Sequence, residues 1–180
     1  AKNAGFDAVK FQKRDINIVY SEKYLNSLRD SPFGKTQRDQ KEALEFNISD
    51  YWEIDKYCKN MNIEWFVSCW DINSQKEMRI FDTKWNKIAS AMATNKEFIE
   101  LVASEGKPTF ISTGMTSIEE IEVVTQIFKS KNCSFKLLHT VSTYPSEEAD
   151  LNLNCIITLK EKFKTPVGYS GHETGGSPSV

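Results

Sequence analysis

Short runs of β-branched and aromatic residues recur along the chain, each followed by a polar turn and then by apolar positions at helical spacing. The runs Ala8 to Gln12, Trp65 to Trp70, Lys87 to Ser90, Thr109 to Gly114, Phe135 to Val141 and Val167 to His172 predict strands. Between them, Ile48 to Asn60, Ser74 to Phe81, Lys96 to Ser104, Ser117 to Lys129 and Asn152 to Phe163 predict helices. Ser117 followed three positions later by Glu120 is a capping-box pattern, and Gly106 and Pro108 stand where a helix must stop and a strand begin. From Trp65 onward the strands start about 22 to 32 residues apart, the rhythm of βα units that feed a parallel sheet. The segment after Gln12 breaks that rhythm. About fifty residues, including the polar stretch Arg29 to Gln37, precede the next strand, and so long a connection at a strand's carboxyl end points to function.

Six parallel strands suit either an open doubly wound sheet or part of an eight-stranded barrel, and length favours the open sheet because a full barrel takes roughly 250 residues. The strand ends argue the other way. No Gly-x-Gly-x-x-Gly fingerprint or Walker-type loop follows any strand. Instead the ends carry small hydroxyls and ionisable groups: Lys10 and Gln12, Ser68, Lys87 and Ser90, Ser112, Ser142 and Tyr144, then Ser170 and His172. A barrel would converge these on one site at its carboxyl-terminal face, which an open sheet would not. The expected fold is therefore α/β, an incomplete (β/α)8 TIM barrel with about six of its eight βα units.

Composition narrows the partners. The 180 residues are 39% hydrophobic and 12% aromatic, enough for one core of ordinary size, read as a single domain over residues 1–180. Lys and Arg number 23 against 25 Asp and Glu, with neither sign in a long block, so a small molecule is expected rather than nucleic acid. No apolar run is long enough to span a bilayer. Cys58, Cys69, Cys133 and Cys155 are widely spaced without a CxxC pair, which reads as reduced thiols in the cytoplasm. The chain opens without Met on Ala4-Gly5, a helix-stop pattern, so further sequence is expected before it.

A ring of hydroxyls with two lysines suits a small, highly charged anion such as phosphate or carboxylate, since hydroxyls donate at fixed points and each ammonium supplies a compact charge. Any one serine can simply end a strand, but serines at five successive strand ends weigh against that. Lys10 with Gln12, Ser142 with Tyr144, and Ser170 with His172 are each two apart and would share a face. Lys87 and Ser90 differ by three, so either Ser90 lies just past the strand or one of the two is not a ligand. His172, beside Glu173 and among Gly168, Gly171, Gly175 and Gly176, has the position of a metal ligand, although a lone histidine is more often structural. His139 sits within an apolar run and reads as a hydrogen-bonded core residue.

Taken together, Ala8-Val9-Lys10-Phe11-Gln12, Ser31-Pro32-Phe33-Gly34-Lys35-Thr36, Lys87-Ile88-Ala89-Ser90, Ile111-Ser112-Thr113-Gly114-Met115, Val141-Ser142-Thr143-Tyr144-Pro145 and Gly168-Tyr169-Ser170-Gly171-His172-Glu173 resemble the sialic acid synthase (N-acetylneuraminate synthase) family. The resemblance implies a barrel that condenses phosphoenolpyruvate with an N-acetylated amino sugar, N-acetylmannosamine or a relative, to give a nonulosonic acid and phosphate. Phosphoenolpyruvate would be held by Lys10, Ser68, Lys87, Ser90, Ser112, Ser142 and Ser170, with Lys10 and Lys87 as the catalytic lysines. Gln12 and Tyr144 would meet the sugar, and His172 a divalent metal, Mn2+ or Mg2+. Ser142 stands where some relatives carry asparagine and reaches less far. The resemblance further implies that a first strand, a last strand, a second metal-binding histidine and a carboxyl-terminal antifreeze-like domain lie outside these residues. The full-length enzyme would then be a homodimer, and the 180 residues alone would lack activity. The rival enzyme reading is a Schiff-base aldolase using Lys87 or Lys10 as nucleophile, and the non-enzymatic rival is an anion-binding fragment.

Overall fold

Alternation along the first strand divides its residues between two environments, which a parallel pair of strands needs if one face is to meet helices. In the computed structural model, which describes residues 1–175, contacts divide the chain into two compact units, Ala1–Lys84 and Trp85–Val180.

In the first unit, β1 (Ala8–Lys13) pairs in parallel with β4 (Glu64–Cys69). Between them come α1 (Ile16–Val19), α2 (Glu22–Leu25), β2 (Leu28–Ser31), β3 (Gly34–Thr36), α3 (Gln37–Leu44) and α4 (Ile48–Asn60), and α5 (Ile72–Glu77) follows β4. Phe11 presents its ring to Phe46, Tyr51 and Trp65, with centroids 6.0, 6.4 and 6.2 Å away, so that face of β1 is the aromatic core. Lys10 and Gln12 take the opposite face. The α4 helix begins with a capping box between Asn47 and Asp50 and buries Tyr51, Asp55 and Cys58, one stripe at helical spacing. Asp55 is buried with partners, accepting from Trp65 Nε1 at 3.1 Å and from Lys59 Nζ at 2.6 Å.

The long connection after β1 is not irregular. It contains two single-turn helices, an antiparallel β2–β3 hairpin and α3, whose Thr36 and Asp39 form a second capping box.

In the second unit β5 (Asn86–Ile88), β6 (Thr109–Ser112), β7 (Phe135–His139) and β8 (Val167–Tyr169) are parallel and adjacent in that order. Helices α6 (Lys96–Ser104), α7 (Ile118–Ser130) and α8 (Cys155–Phe163) alternate with them. The register sets Ile88, Ile111, Leu137 and Val167 side by side on one face. Against such residues α6 buries Phe98, Ile99 and Val102, and α7 buries Ile121, Val124 and Phe128. Phe128 meets Phe135 edge to face at 5.6 Å, and truncating it to alanine would cost about 3–5 kcal/mol. Gly106, at φ 69°, closes the turn after α6, as its position after the apolar stripe predicts.

Several boundaries differ from the sequence expectation. The helix expected over Ser74 to Phe81 starts at Ile72 because Asp71 caps it, then tightens to a 3-10 turn over Met78–Ile80. The strands expected to reach Gly114, Val141 and His172 end at Ser112, His139 and Tyr169. The chain is α/β with six parallel strands among the described residues, two in the first unit and four in the second.

Candidate active site

The carboxyl ends of β5, β6, β7 and β8, all within the second unit, carry seven of the ten expected groups. Lys87 and Ser112 lie on one face, since Lys87 is level with Phe110 and Ser112 is two residues further along β6. Lys87 is only 7% exposed and Ser112 3%. The Lys87 ammonium donates to Ser112 Oγ and, at 2.9 Å, to the carbonyl of Ile88. A buried ammonium beside a strand-end hydroxyl is chemistry that suits a small anion, which both groups can meet with hydrogen bonds.

Ser90 lies just past β5, at the start of a 3-10 turn, which settles the three-residue spacing from Lys87. Its Oγ accepts from the Gly114 amide at 3.1 Å. Gly114 is where two loops close: a Cβ there would run into Ser142 Oγ, and would stand 2.9 Å from Ser90 Oγ and 3.1 Å from the Thr140 carbonyl. Ser90 and Ser142 thus flank one glycine. Ser142 Oγ is buried without a hydrogen-bond partner, a hydroxyl that a bound acceptor would satisfy. Sequence reasoning singled out both serines but not the glycine, because the crowding at Gly114 is visible only once the loops are folded.

The expectation that Ser142 with Tyr144, and Ser170 with His172, share faces of regular strands is corrected. All four lie beyond the strand ends, since the last ladder bond of β7 and β8 is Ser170 N to the His139 carbonyl, at 2.9 Å. Loop geometry places them instead. His172 Nδ1 lies 2.6 Å from the Val141 carbonyl, which can only accept, so Nδ1 carries the proton and Nε2 keeps its lone pair. That lone pair accepts from Tyr144 Oη at 2.6 Å, and the Tyr144 ring stacks on the imidazole at 3.8 Å. Tyr144 is 76% exposed. Burial nonetheless raises its phenol pKa above the ordinary tyrosine value.

With Nδ1–H on a backbone carbonyl, Nε2 is the atom that could bind a metal, and the Tyr144 hydroxyl occupies it. His172 fits as one ligand. Among the described residues no group of three or more His, Cys, Asp or Glu is placed to hold an ion. Glu173, the nearest carboxylate in sequence, accepts from Tyr169 Oη at 2.7 Å. That bond holds the Glu173 carboxyl below its ordinary pKa, while burial, with the carboxylate beside it, pushes the Tyr169 phenol up to about 12. His139, as expected, is a core residue: its Nε2 donates to the Leu151 carbonyl at 2.6 Å.

In the first unit Gln12 and Ser68 are level across β1 and β4, and Lys10 shares their face. Ser68 is buried, whereas Lys10 and Gln12 are exposed. The Lys10 ammonium is pulled below its ordinary pKa, first by desolvation and then by the Arg14 charge. No helix among the described residues is long and apolar enough to cross a membrane.

The chain is 34% identical over 179 residues to N-acetylneuraminate-9-phosphate synthase of Drosophila melanogaster, spanning 97% of this chain and 48% of that protein. It is 36% identical over 181 residues to pseudaminic acid synthase of Campylobacter jejuni, spanning 97% and 52%. The chain thus spans about half the length of the curated relatives it matches. A crystal structure of N-acetylneuraminic acid (sialic acid) synthetase from Leptospira borgpetersenii in complex with citrate superposes with a TM-score of 0.87 at 30% identity, covering 98% of this chain and 58% of that one. The fold is the α/β fold of these TIM-barrel-type synthases, incomplete as a barrel over the present residues. Matching the family's pattern over residues 1–180, the chain belongs to the NeuB family.

Proposed function

We propose that the full-length enzyme condenses phosphoenolpyruvate with an N-acetylated amino sugar, N-acetylmannosamine or a relative, to give a nonulosonic acid and phosphate. The observation that carries this reading is the anion cradle of the second unit, in which a buried Lys87 ammonium lies beside Ser112 while Ser90 and the unpartnered Ser142 hydroxyl flank Gly114. In this reading Lys87 offsets the charge of phosphoenolpyruvate, and Ser90, Ser112, Ser142 and Ser170 fix its oxygens by hydrogen bonds. By the family resemblance, Lys10 and Ser68 are also assigned to phosphoenolpyruvate. Gln12 and Tyr144 meet the sugar. C3 of phosphoenolpyruvate attacks the sugar's open-chain aldehyde, water adds at C2, and phosphate leaves with cleavage of the C–O bond. Fixing the enol against the aldehyde is an orientation effect that contributes several kcal/mol in well-aligned cases. A divalent ion, Mn2+ or Mg2+, held in part by His172 Nε2, would act as a Lewis acid on the aldehyde. The wide spacing of the four cysteines, without a CxxC pair, suits a reducing compartment, so the reaction is assigned to the cytoplasm; the family resemblance assigns the full-length protein to a homodimer.

One observation favours a second reading. Lys10 has its ammonium pKa lowered, as a Schiff-base nucleophile requires. Assay of the full-length protein separates the two. Turnover of phosphoenolpyruvate and amino sugar that a chelator abolishes supports the synthase. Borohydride trapping of pyruvate on Lys10 or Lys87, with no phosphate released, refutes it.

A further inference from the structure

The turn after β8 carries two proposed ligands, Ser170 and His172, and it is held by residues to which neither the family resemblance nor the proposed chemistry gives a role. Tyr169 ends β8 and donates from Oη to Glu173 at 2.7 Å, a bond that closes the four-residue step around Gly171. The turn is wrapped so closely that a Cβ on Gly171 would lie 2.6 Å from both Glu173 carboxylate oxygens and 2.8 Å from the Tyr169 ring. On its other side, Ser146 N donates to the His172 carbonyl at 3.0 Å, and Ser146 bridges to Glu173. Ser146 is itself fixed, its Oγ donating to the Thr143 carbonyl at 3.0 Å. The His172 backbone is therefore gripped from two sides, which leaves its imidazole to be aimed by Val141.

We propose that Tyr169 and Glu173 are a positioning pair: their hydrogen bond sets the turn that aims His172 and Ser170, and Glu173 does not itself contact metal or substrate. This rests on the reading of the site as a phosphoenolpyruvate-dependent synthase with His172 as a metal ligand. The distinguishing feature is that the pair needs an acceptor at Glu173 rather than a charge. Glutamine keeps the acceptor through its amide oxygen, alanine does not.

The test uses the full-length enzyme without sugar, titrated separately with Mn2+, followed by electron paramagnetic resonance, and with phosphoenolpyruvate, followed by calorimetry. Glu173→Ala and Tyr169→Phe should each weaken Mn2+ binding by about 10- to 100-fold, as loss of an orienting partner does. The double variant should be no worse than the weaker single one, and Glu173→Gln should stay within about threefold of the parent. If Glu173→Gln loses Mn2+ as fully as Glu173→Ala, Glu173 is a direct ligand and the proposal is overturned. It is equally overturned if Glu173→Ala keeps both affinities. If the parent enzyme binds no Mn2+, the metal reading fails by itself. The positioning claim is then decided by phosphoenolpyruvate affinity, which Glu173→Ala must weaken through Ser170 and Glu173→Gln must restore.

Discussion

Substituting Gly114 by alanine tests the anion cradle without removing any of its hydrogen-bonding groups. The backbone there is not in the left-handed region, so the methyl group imposes no torsional strain. Its effect is steric: it lands on Ser142 Oγ and within 2.9 Å of Ser90 Oγ, while the Thr140 carbonyl at 3.1 Å belongs to backbone that cannot easily retreat. The two hydroxyls must therefore turn or shift. Overpacking of this kind costs about 1–3 kcal/mol of stability. Each hydroxyl that loses its bond to a charged phosphate or carboxylate costs about 1.5–3 kcal/mol of binding. One such loss weakens phosphoenolpyruvate by about 10- to 100-fold. Calorimetric titration of the full-length variant measures it, with thermal unfolding recorded alongside to show that the fold persists. Because the clash involves Ser142 Oγ, Gly114→Ala added to Ser142→Ala should cost less than it does alone. A folded Gly114→Ala enzyme with unchanged phosphoenolpyruvate affinity would refute the placement of these serines around the ligand.

Lys87→Met keeps the stem's packing but removes a buried ammonium, and should raise the KM for phosphoenolpyruvate far more than that for the sugar; a raised sugar KM alone would show that Lys87 has another partner. Tyr144→Phe keeps the ring on His172 but removes the hydroxyl that occupies Nε2, so Mn2+ should bind several-fold more tightly in electron paramagnetic resonance titrations, and unchanged or weaker binding would count against Nε2 as the ligand atom. Lys10 has its pKa lowered below 10.5, chiefly by desolvation and then by Arg14. Its proton is therefore lost earlier as pH rises, so phosphoenolpyruvate affinity should begin to fall below that pH, and Arg14→Gln should move the fall upward. The sign for stability is opposite: the unfolded chain holds this proton more tightly, so the residue's contribution to folding improves as pH rises from the folded to the unfolded pKa. A calorimetric pH series in which the fall lies at or above 10.5 would remove Lys10 from the site.

Strand β1 was legible in the sequence because its two faces meet different surroundings, aromatic for Phe11 and polar for Lys10 and Gln12. The helices α4 and α6 were legible to the residue, since apolar stripes and capping groups agree there. The ends of β6, β7 and β8 were not. Their apolar and hydroxyl pattern runs on past the last ladder bond, and alternation does not say where pairing stops. The connection between β1 and α4 hid its elements for another reason. Helices of four residues and three-residue strands are too short to show a period, although Asp15, Ser21 and Thr36 each cap a helix there. The site's residue types could be read as an anion cradle, but its geometry could not. The crowding at Gly114 and the bond between Tyr169 and Glu173 join residues whose relation depends on how the loops fold.

The central claim is that phosphoenolpyruvate is joined to an amino sugar with cleavage of its C–O bond. Phosphoenolpyruvate labelled with 18O at the bridging oxygen, incubated with the full-length enzyme, a divalent metal and N-acetylmannosamine or its relatives, tests it most directly. The account predicts that a nonulosonic acid forms and that the label leaves with the phosphate. Label retained in a pyruvate-derived product, or turnover that releases no phosphate, would contradict it.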